Sequence, residues 1–221
     1  NGFKKTGYHF AGWNTKSDGT GTTYTNQQSV LNLSSTNGAS ITLYAQWETN
    51  AYSIGFDGNG HTGGSTSGMT MRFDESKALT ANGYIRTGYT FRNWNTNANG
   101  TGTSYSNRQT VRNLTSTNGG TVTLYAQWNP ITYKIVFNGN GHTGGSTAEM
   151  AMTYDVAANL TENGFRKTGY VFTGWNTEPD GSGTRYTNRQ SVINLSSSEG
   201  AVINLYAQWR PITYTIRFNG N

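Results

Sequence analysis

Tyr206-Ala207-Gln208-Trp209 occurs three times in this chain, and its earlier copies are Tyr44-Ala45-Gln46-Trp47 and Tyr125-Ala126-Gln127-Trp128. The closing tryptophans are 81 residues apart, because 128 − 47 and 209 − 128 both equal 81. A second set, Trp13, Trp94 and Trp175, has the same spacing. Two independent markers in one register indicate an internal repeat, and such a period decides the architecture before any other feature.

The period divides the sequence into four parts. We predict a partial repeat over 1–47, complete repeats over 52–128 and 133–209, and a linker with the first strand of a further repeat over 210–221. The first and last residues fall at equivalent places beside a Gly-rich segment. We therefore expect the chain to be part of a longer array.

The composition favours small folded β-rich units. Only 12% of the residues are charged, and Gly is abundant with 29 residues, but the aromatic fraction of 13% is too high for a disordered polar tract. The small polar residues are therefore interpreted as turns between short strands. The chain has no cysteine, so disulfides and thiolate metal sites are excluded. No apolar run approaches the roughly 18 residues of a membrane span.

The net charge of +5 does not indicate a nucleic-acid partner. Residues 52–128 contain six basic and three acidic side chains, whereas residues 133–209 contain five basic and six acidic ones. A surface that grips phosphate would keep a basic face in every copy. We therefore expect no nucleic acid among the partners.

Alternating apolar residues predict four strands in the last complete repeat. A helix is predicted near its end, capped by Thr187 or Asn188. In the third predicted strand, strict alternation places Tyr170 and Phe172 on one face and Trp175 on the other. The strands are predicted over 133–137, 150–154, 169–175 and 202–209, and the helix over 187–195.

Three motifs resemble the Listeria–Bacteroides repeat, the internalin B-type B repeat of Gram-positive surface proteins. They are the Tyr-x-Ile-x-Phe strand with its Asn-Gly turn, the Gly-Tyr-x-Phe-x-Gly-Trp-Asn-Thr block, and the Leu-Tyr-Ala-Gln-Trp close. The middle copy departs from the second motif at Asn93, where the other copies have Gly12 and Gly174. The resemblance implies tandem β-grasp, ubiquitin-like units on secreted or wall-attached adhesins. The expected fold class is therefore mainly β, with at most one short helix per unit.

Aromatic residues recur at equivalent positions of the repeats, which we call the aromatic columns. Their side chains are candidates for either the core or ligand contact. Their strand alternation favours the core. The alternative is an exposed platform for stacking sugars, for which Trp13, Trp94 and Trp175 are the candidate contacts. The columns of the last copy are Phe165, Tyr170, Phe172, Trp175, Tyr186, Tyr206, Trp209, Tyr214 and Phe218.

The remaining patterns do not indicate catalysis, a metal or a cofactor. His61 and His142 lie in a Gly-rich loop without a second ligand at useful spacing, so we interpret them as exposed loop residues. Asp18-Gly19 and Asp180-Gly181 fit turns better than calcium loops, because too few acidic ligands surround them. No catalytic arrangement repeats with the period, so no enzyme is expected.

Two sequence patterns in the repeats are compatible with covalent modification. Asn32, Asn113 and Asn194 fit the N-glycosylation pattern in every copy, but we interpret them as turn residues. A Thr–Gln ester through Gln208 is a minor alternative, which an intact mass short by one ammonia per unit would support.

These observations predict a structural role. The chain is interpreted as an extracellular stalk or fibre segment of a bacterial adhesin, whose partners are its own neighbouring repeats and laterally associated copies. The alternative function is a module that binds host or cell-wall glycans through exposed aromatic side chains.

Overall fold

The computed structural model describes residues 1–220, which form strands and turns with no helix. They divide into two compact units. Unit 1 contains residues 1–85 and 91–127, and unit 2 contains residues 86–90 and the chain from Trp128 onwards. Unit 1 therefore joins the first repeat to most of the second, and unit 2 joins residues 86–90 of the second repeat to the third.

Each complete repeat contributes nine short strands, and the first repeat contributes three. The first repeat has β1 (Tyr8–Asn14), β2 (Thr23–Tyr24) and β3 (Tyr44–Thr49). The second has β4 (Ala51–Asp57), β5 (Gly63–Gly64), β6 (Met69–Arg72), β7 (Ser76–Ala78), β8 (Tyr84–Ile85), β9 (Tyr89–Asn95), β10 (Ser104–Tyr105), β11 (Thr110–Arg112) and β12 (Thr121–Pro130). The third has β13 (Thr132–Asn138), β14 (Gly144–Gly145), β15 (Met150–Thr153), β16 (Ala158–Asn159), β17 (Phe165–Arg166), β18 (Tyr170–Asn176), β19 (Arg185–Tyr186), β20 (Ser191–Val192) and β21 (Val202–Pro211).

A mixed five-stranded sheet forms the centre of the third repeat, in the order β15-β13-β21-β18-β19. The first strand β13 runs parallel to the last strand β21 in the middle of the sheet, and the other pairs are antiparallel. The second repeat has the same order in β10-β9-β12-β4-β6. The mainly β fold class is confirmed, and the parallel central pair is the arrangement expected of a β-grasp sheet.

The alternation of apolar residues explains the central strand. Tyr133, Ile135 and Phe137 are buried, while Lys134 and Asn138 between and after them are exposed. Since successive side chains point to opposite faces, one face of β13 enters the core and the other meets solvent. The buried core of this repeat consists of Tyr133, Ile135, Phe137, Met152, Leu160, Trp175, Val192, Leu205 and Ala207.

The prediction that Trp175 faces away from Phe172 is wrong. The register of β18 against β21 shifts between Phe172 and Gly174, so one extra residue is inserted at this point. Gly174 adopts a φ of 144°, and the bulge returns Trp175 to the face of Phe172, with their ring centroids 5.0 Å apart. Strict period-2 alternation cannot predict this, because a bulge changes the parity of every later residue.

The predicted helix over 187–195 is also wrong. Residues 187–190 form a turn in which the Gln190 side chain accepts a hydrogen bond from the Thr187 N–H at 2.8 Å. Arg189 and Asn194 have φ values of 58° and 54°, which interrupt any right-handed helix. Ser191–Val192 instead pairs with β16 as an antiparallel strand.

Candidate functional site: the repeat junction

Two of the repeats carry a glycine turn that is covered by an aromatic ring of the following repeat. Gly7 in unit 1 and Gly88 in unit 2 are buried, with φ values of 79° and 76°. A Cβ added to Gly7 would lie 2.2 Å from the ring of Phe73, and one added to Gly88 would lie 2.3 Å from the ring of Tyr154. Only glycine therefore fits beneath these rings.

The tyrosine after each of these glycines reaches an aspartate of the next repeat. The Tyr8 hydroxyl donates to Oδ2 of Asp74 at 2.8 Å within unit 1. Within unit 2 the Tyr89 hydroxyl donates to Oδ2 of Asp155 at 2.7 Å. A cation lies over each tyrosine ring, with Lys5 Nζ 3.9 Å from the Tyr8 centroid. The contact thus combines a charge-assisted hydrogen bond with a cation–π pair.

The aspartates are held by the asparagines of the glycosylation-like motifs. The Asp155 N–H donates to Asn194 Oδ1 at 2.7 Å, and Asn194 Nδ2 donates to Asp155 Oδ1 at 2.8 Å. Asp74 and Asn113 make the same pair, at 2.6 and 3.0 Å. The interpretation of these asparagines as turn residues fits their φ values of 53° and 54°. The side-chain amides of Asn113 and Asn194 also orient the carboxylate that accepts the hydrogen bond from the tyrosine hydroxyl.

The linker residue is fixed between the two repeats by backbone hydrogen bonds. Ile131 is 2% exposed, its N–H donates to the carbonyl of Gly88 at 2.9 Å, and its carbonyl accepts from the N–H of Tyr154 at 3.0 Å. Asn50 bridges Gly7 and Phe73 in the same way, with both distances 2.8 Å. The residue between two repeats is therefore an ordered, buried part of the junction.

We name this arrangement the junction cluster. In unit 1 it comprises Gly7, Tyr8, Asn50, Phe73, Asp74 and Asn113, and in unit 2 Gly88, Tyr89, Ile131, Tyr154, Asp155 and Asn194.

The third repeat carries the same glycine turn without a cover. Gly169 has a φ of 78°, and a Cβ added to it would meet nothing within 4 Å. Its carbonyl already accepts the Ile212 N–H at 3.0 Å, and Lys167 already lies over the Tyr170 ring at 4.7 Å. This half of the junction is formed by one repeat alone, and it offers a matched control for the covered positions.

Replacing Gly88 by alanine should disrupt the junction cluster of unit 2. Both Gly88→Ala and Gly169→Ala carry the left-handed backbone penalty of about 1–2 kcal/mol. Only Gly88→Ala also forces a methyl group into the Tyr154 ring, so it should lower the melting temperature further and expose the 129–132 linker to proteases. Thermal melting and limited proteolysis of the two variants measure the difference. Equal behaviour would show that the ring contact contributes nothing.

Acid should weaken the junction clusters through their aspartates. Hydrogen bonds from Asn113 and then Tyr8 lower the pKa of Asp74, and those from Asn194 and then Tyr89 lower the pKa of Asp155. A lowered folded pKa gives stability that is present above the unfolded value of about 3.9 and is lost as pH falls through the folded pKa.

We therefore expect the double variant Asp74→Asn/Asp155→Asn to melt with a shallower pH dependence than the parent chain below about pH 4. Glu149→Gln, at an exposed ion pair with Lys134, is the control. An unchanged slope in the double variant would contradict this role of the aspartates.

The candidate ligand residues lie mainly in the core. Trp94 and Trp175 are 0% exposed, and Trp13 is half-buried. This burial removes the stacking surface that the glycan-binding alternative requires of Trp94 and Trp175, because a sugar must reach the face of the ring. Three aromatic residues assigned to the core columns are exposed instead: Tyr170, Tyr214 and Phe218.

The loop histidines and acidic turns have local structural partners. The ring centroid of His142 lies 4.6 Å from that of Phe165, and that of His61 lies 4.7 Å from Tyr84. Asp180 Oδ1 accepts from the Ser182 hydroxyl and N–H at 2.6 and 3.0 Å, and these hydrogen bonds lower the pKa of Asp180. Residues 1–220 contain no group of three His, Cys, Asp or Glu side chains that could hold a metal ion.

The side-chain amide of Gln208 donates hydrogen bonds to backbone carbonyls. Its Nε2 donates to the carbonyls of Glu178 and Tyr206 at 3.3 Å each. This geometry orients the amide nitrogen towards the loop at Glu178. The Thr–Gln ester stays a prediction for intact-mass measurement.

Sequence reasoning missed the junction cluster although its residues recur in register. Asp74 and Asp155 share a column, and Tyr8 and Tyr89 share another. The distance of 66 residues between Tyr and Asp links one repeat to the next, so a comparison of equivalent positions within single repeats does not reveal the contact.

The repeated sheets and junctions define a tandem β-repeat protein of the β-grasp type. The model of the Listeria–Bacteroides repeat domain matches residues 1–46, 52–127 and 133–208, which together are most of the chain. This chain therefore belongs to the Listeria–Bacteroides repeat family.

Two relatives come from Evansella cellulosilytica. A provisionally named Gly-rich membrane protein is 34% identical over 220 residues, covering 98% of this chain and 24% of the relative. A provisionally named membrane protein is 29% identical over 169 residues, covering 76% of this chain and 23% of the relative. The chain thus spans about a quarter of the length of these relatives. Among residues 1–220 no helix is long and apolar enough to cross a bilayer. No solved structure matches the chain significantly.

Proposed function

We propose that this chain is a spacer segment, a stalk or part of a fibre, of an extracellular adhesin on the surface of a Gram-positive bacterium. The family is typical of surface proteins, and both relatives are named as membrane proteins. The repeats supply length and carry no reaction.

The junction cluster is the observation that supports a spacer. A spacer must hold each repeat in a fixed orientation to the next, and this requires an ordered linker. The linker residue Ile131 is buried and hydrogen-bonded on both sides within unit 2, and Asn50 is placed in the same way in unit 1. In an array whose units contact only their neighbours, such contacts determine stiffness.

Small-angle X-ray scattering on chains of increasing repeat number tests this function. A further copy of residues 133–213 inserted after Thr213 should increase the maximum dimension by a constant amount per copy. The same series with alanine at Gly88 and its copies should show a smaller increment and a broader distance distribution. A maximum dimension that does not grow with repeat number would refute the spacer.

Glycan binding is the alternative function, and the burial of Trp94 and Trp175 counts against it. A glycan and glycosaminoglycan array at physiological salt distinguishes the two. The spacer predicts a blank array from folded protein, whereas saturable binding that weakens in Trp13→Ala would favour an adhesive surface on the first repeat.

A further inference from the structure

The first and last strands of each complete repeat lie side by side and run in the same direction. In the third repeat, β13 and β21 form five parallel residue pairs, from Lys134–Val202 to Asn138–Tyr206. In the second repeat, β4 and β12 also form five such pairs. The chain therefore enters the strand pair at one end and leaves it at the opposite end.

This arrangement determines how the strand pair bears a stretching force. Tension on the chain pulls the start of β13 and the end of β21 in opposite directions along the strands. The interstrand hydrogen bonds of a parallel pair are evenly spaced along it, so they share this shear load and must break together. If the two strands were antiparallel, the same tension would act at one end of the pair, and the bonds would break one at a time.

Side-chain hydrogen bonds fasten both ends of the strand pair in the third repeat. At its start, the Glu199 carboxylate accepts hydrogen bonds from the N–H and the hydroxyl of Thr132, at 3.0 and 2.9 Å. At its far end, Asn140 Nδ2 donates to the carbonyl of Ala207 at 2.9 Å. These bonds link the two strands at their ends, so they resist sliding of β13 along β21.

The second repeat fastens its strand pair at the same two places. Asn118 Oδ1 accepts the N–H of Ala51 at 3.1 Å, and Asn59 Nδ2 donates to the carbonyl of Ala126 at 2.9 Å. Asn118 is the counterpart of Glu199, so the acceptor differs between the copies, but the bond at the start of the pair is kept. The fastening is therefore a feature of the fold rather than of one copy.

Core side chains cover one face of each strand pair. Ile135 and Leu205 in the third repeat, and Ile54 and Leu124 in the second, are at most 1% exposed. A hydrogen bond is electrostatically stronger beside such a core than in water, because the local dielectric constant is low. The bonds between these two central strands therefore resist breaking more than bonds at a solvated edge.

We infer that this parallel strand pair is a mechanical clamp that keeps each complete repeat folded while the chain bears tension. The clamp goes beyond the spacer function and does not depend on it, because it needs only the strands of a single repeat. A failure of the clamp is measured as a low unfolding force. A failure of the spacer is measured as a maximum dimension that does not grow with repeat number.

Single-molecule force spectroscopy in two pulling directions tests the clamp. The parent chain has no cysteine, so handles can be attached to cysteines at chosen positions under reducing conditions. Handles at Lys134→Cys and Arg210→Cys load the pair in shear, whereas handles at Lys134→Cys and Val202→Cys unzip the strands from their starting end. All three side chains are exposed, so both double variants should fold. At equal loading rate the rupture force should be several times higher in shear, and equal forces would overturn the clamp.

Two further measurements establish that the direction of pulling alone causes the difference. Unfolding should lengthen the chain by about 23 nm in both directions, because each released residue extends to about 3.3–3.6 Å. Urea unfolding should give equal midpoints for the two double variants. Unequal midpoints that account for the difference in rupture force would also overturn the clamp.

Asn140→Gly tests the fastening at the far end of the pair. Glycine tolerates the φ of 46° at this position but cannot donate a side-chain hydrogen bond to Ala207. We expect a lower rupture force in shear, which loads this bond from the start, and an unchanged force in unzipping, which reaches it last. Asn204→Ala, at an exposed side chain of β21, is the control and should change neither force. A loss of force that is equal in both directions would show that Asn140 stabilises the repeat without belonging to the clamp.

Discussion

Replacing Trp175 by alanine should lower the unfolding free energy of the third repeat by about 3–5 kcal/mol, the usual cost of removing a buried large aromatic side chain. The ring is 0% exposed and makes edge or tilted contacts with Phe137, Phe165 and Phe172 at centroid distances of 4.7, 6.3 and 5.0 Å. For a domain of this size the melting temperature should fall by about 15 °C or more.

Two controls separate the loss of the indole from a general effect of substitution. Trp175→Phe keeps most of the contacts and removes an indole N–H that has no hydrogen-bond partner among residues 1–220, so less than half of the alanine effect is expected. Val171→Ala, at a side chain that is 46% exposed, should change stability little. Urea unfolding followed by circular dichroism measures all three. A Trp175→Ala repeat as stable as the parent would show that this ring does not organise the core.

Replacing Asn95 by alanine should destabilise the second repeat by about 3 kcal/mol or more, since each lost hydrogen bond costs about 0.5–1.5 kcal/mol. The residue is 0% exposed, and its Nδ2 donates to Gly100 O, Gly102 O and Ser104 Oγ at 3.0–3.2 Å. Its Oδ1 accepts the N–H groups of Asn97 and Gly102 at 2.8 and 3.0 Å. One side chain thus makes hydrogen bonds to five polar groups of the following loop, with one amide hydrogen shared between two acceptors.

Asn95→Asp should be at least as harmful as Asn95→Ala. It retains the shape and the two N–H donors, but it directs a carboxylate oxygen at the two glycine carbonyls, which repel it, and it buries a charge. Asn97→Lys is the control, because the first repeat carries Lys16 at this position. Denaturant midpoints with unchanged slopes would report the stability difference. An Asn95→Ala variant as stable as the parent chain would contradict the role of Asn95 in holding the loop.

The roles of these two residues explain why the block Trp-Asn-Thr recurs in all three copies although the loop after it contains little apolar sequence. The tryptophan fills the core on one side of the strand end, and the asparagine fixes the Gly-rich loop that follows. A repeat of this size buries only a limited apolar area. The hydrogen bonds of the buried asparagine therefore offset part of the entropy that is lost when the long loop becomes ordered. The same arrangement is found at Asn14 and Asn176.

The sequence by itself determined the period, the family, the four longer strands of the repeat and the turn at Asp180-Gly181. These features are local or recur at fixed spacing, and apolar alternation at Tyr133, Ile135 and Phe137 follows directly from the geometry of a strand. Alternation does not give the extent of burial of the aromatic residues, because five of the nine in the last copy are half-buried and Trp175 is fully buried only through the bulge.

Only the tertiary structure decided the bulge at Gly174, the strand in place of the predicted helix, and the junction clusters. The bulge determines the sheet face on which Trp175 lies. It arises in the pairing of β18 with β21, so the sequence of β18 alone does not predict it. The left-handed Asn194 is held by its two hydrogen bonds with Asp155, which is 39 residues away in the sequence. The Tyr89–Asp155 contact joins residues 66 positions apart in the sequence, so it forms only when the chain folds.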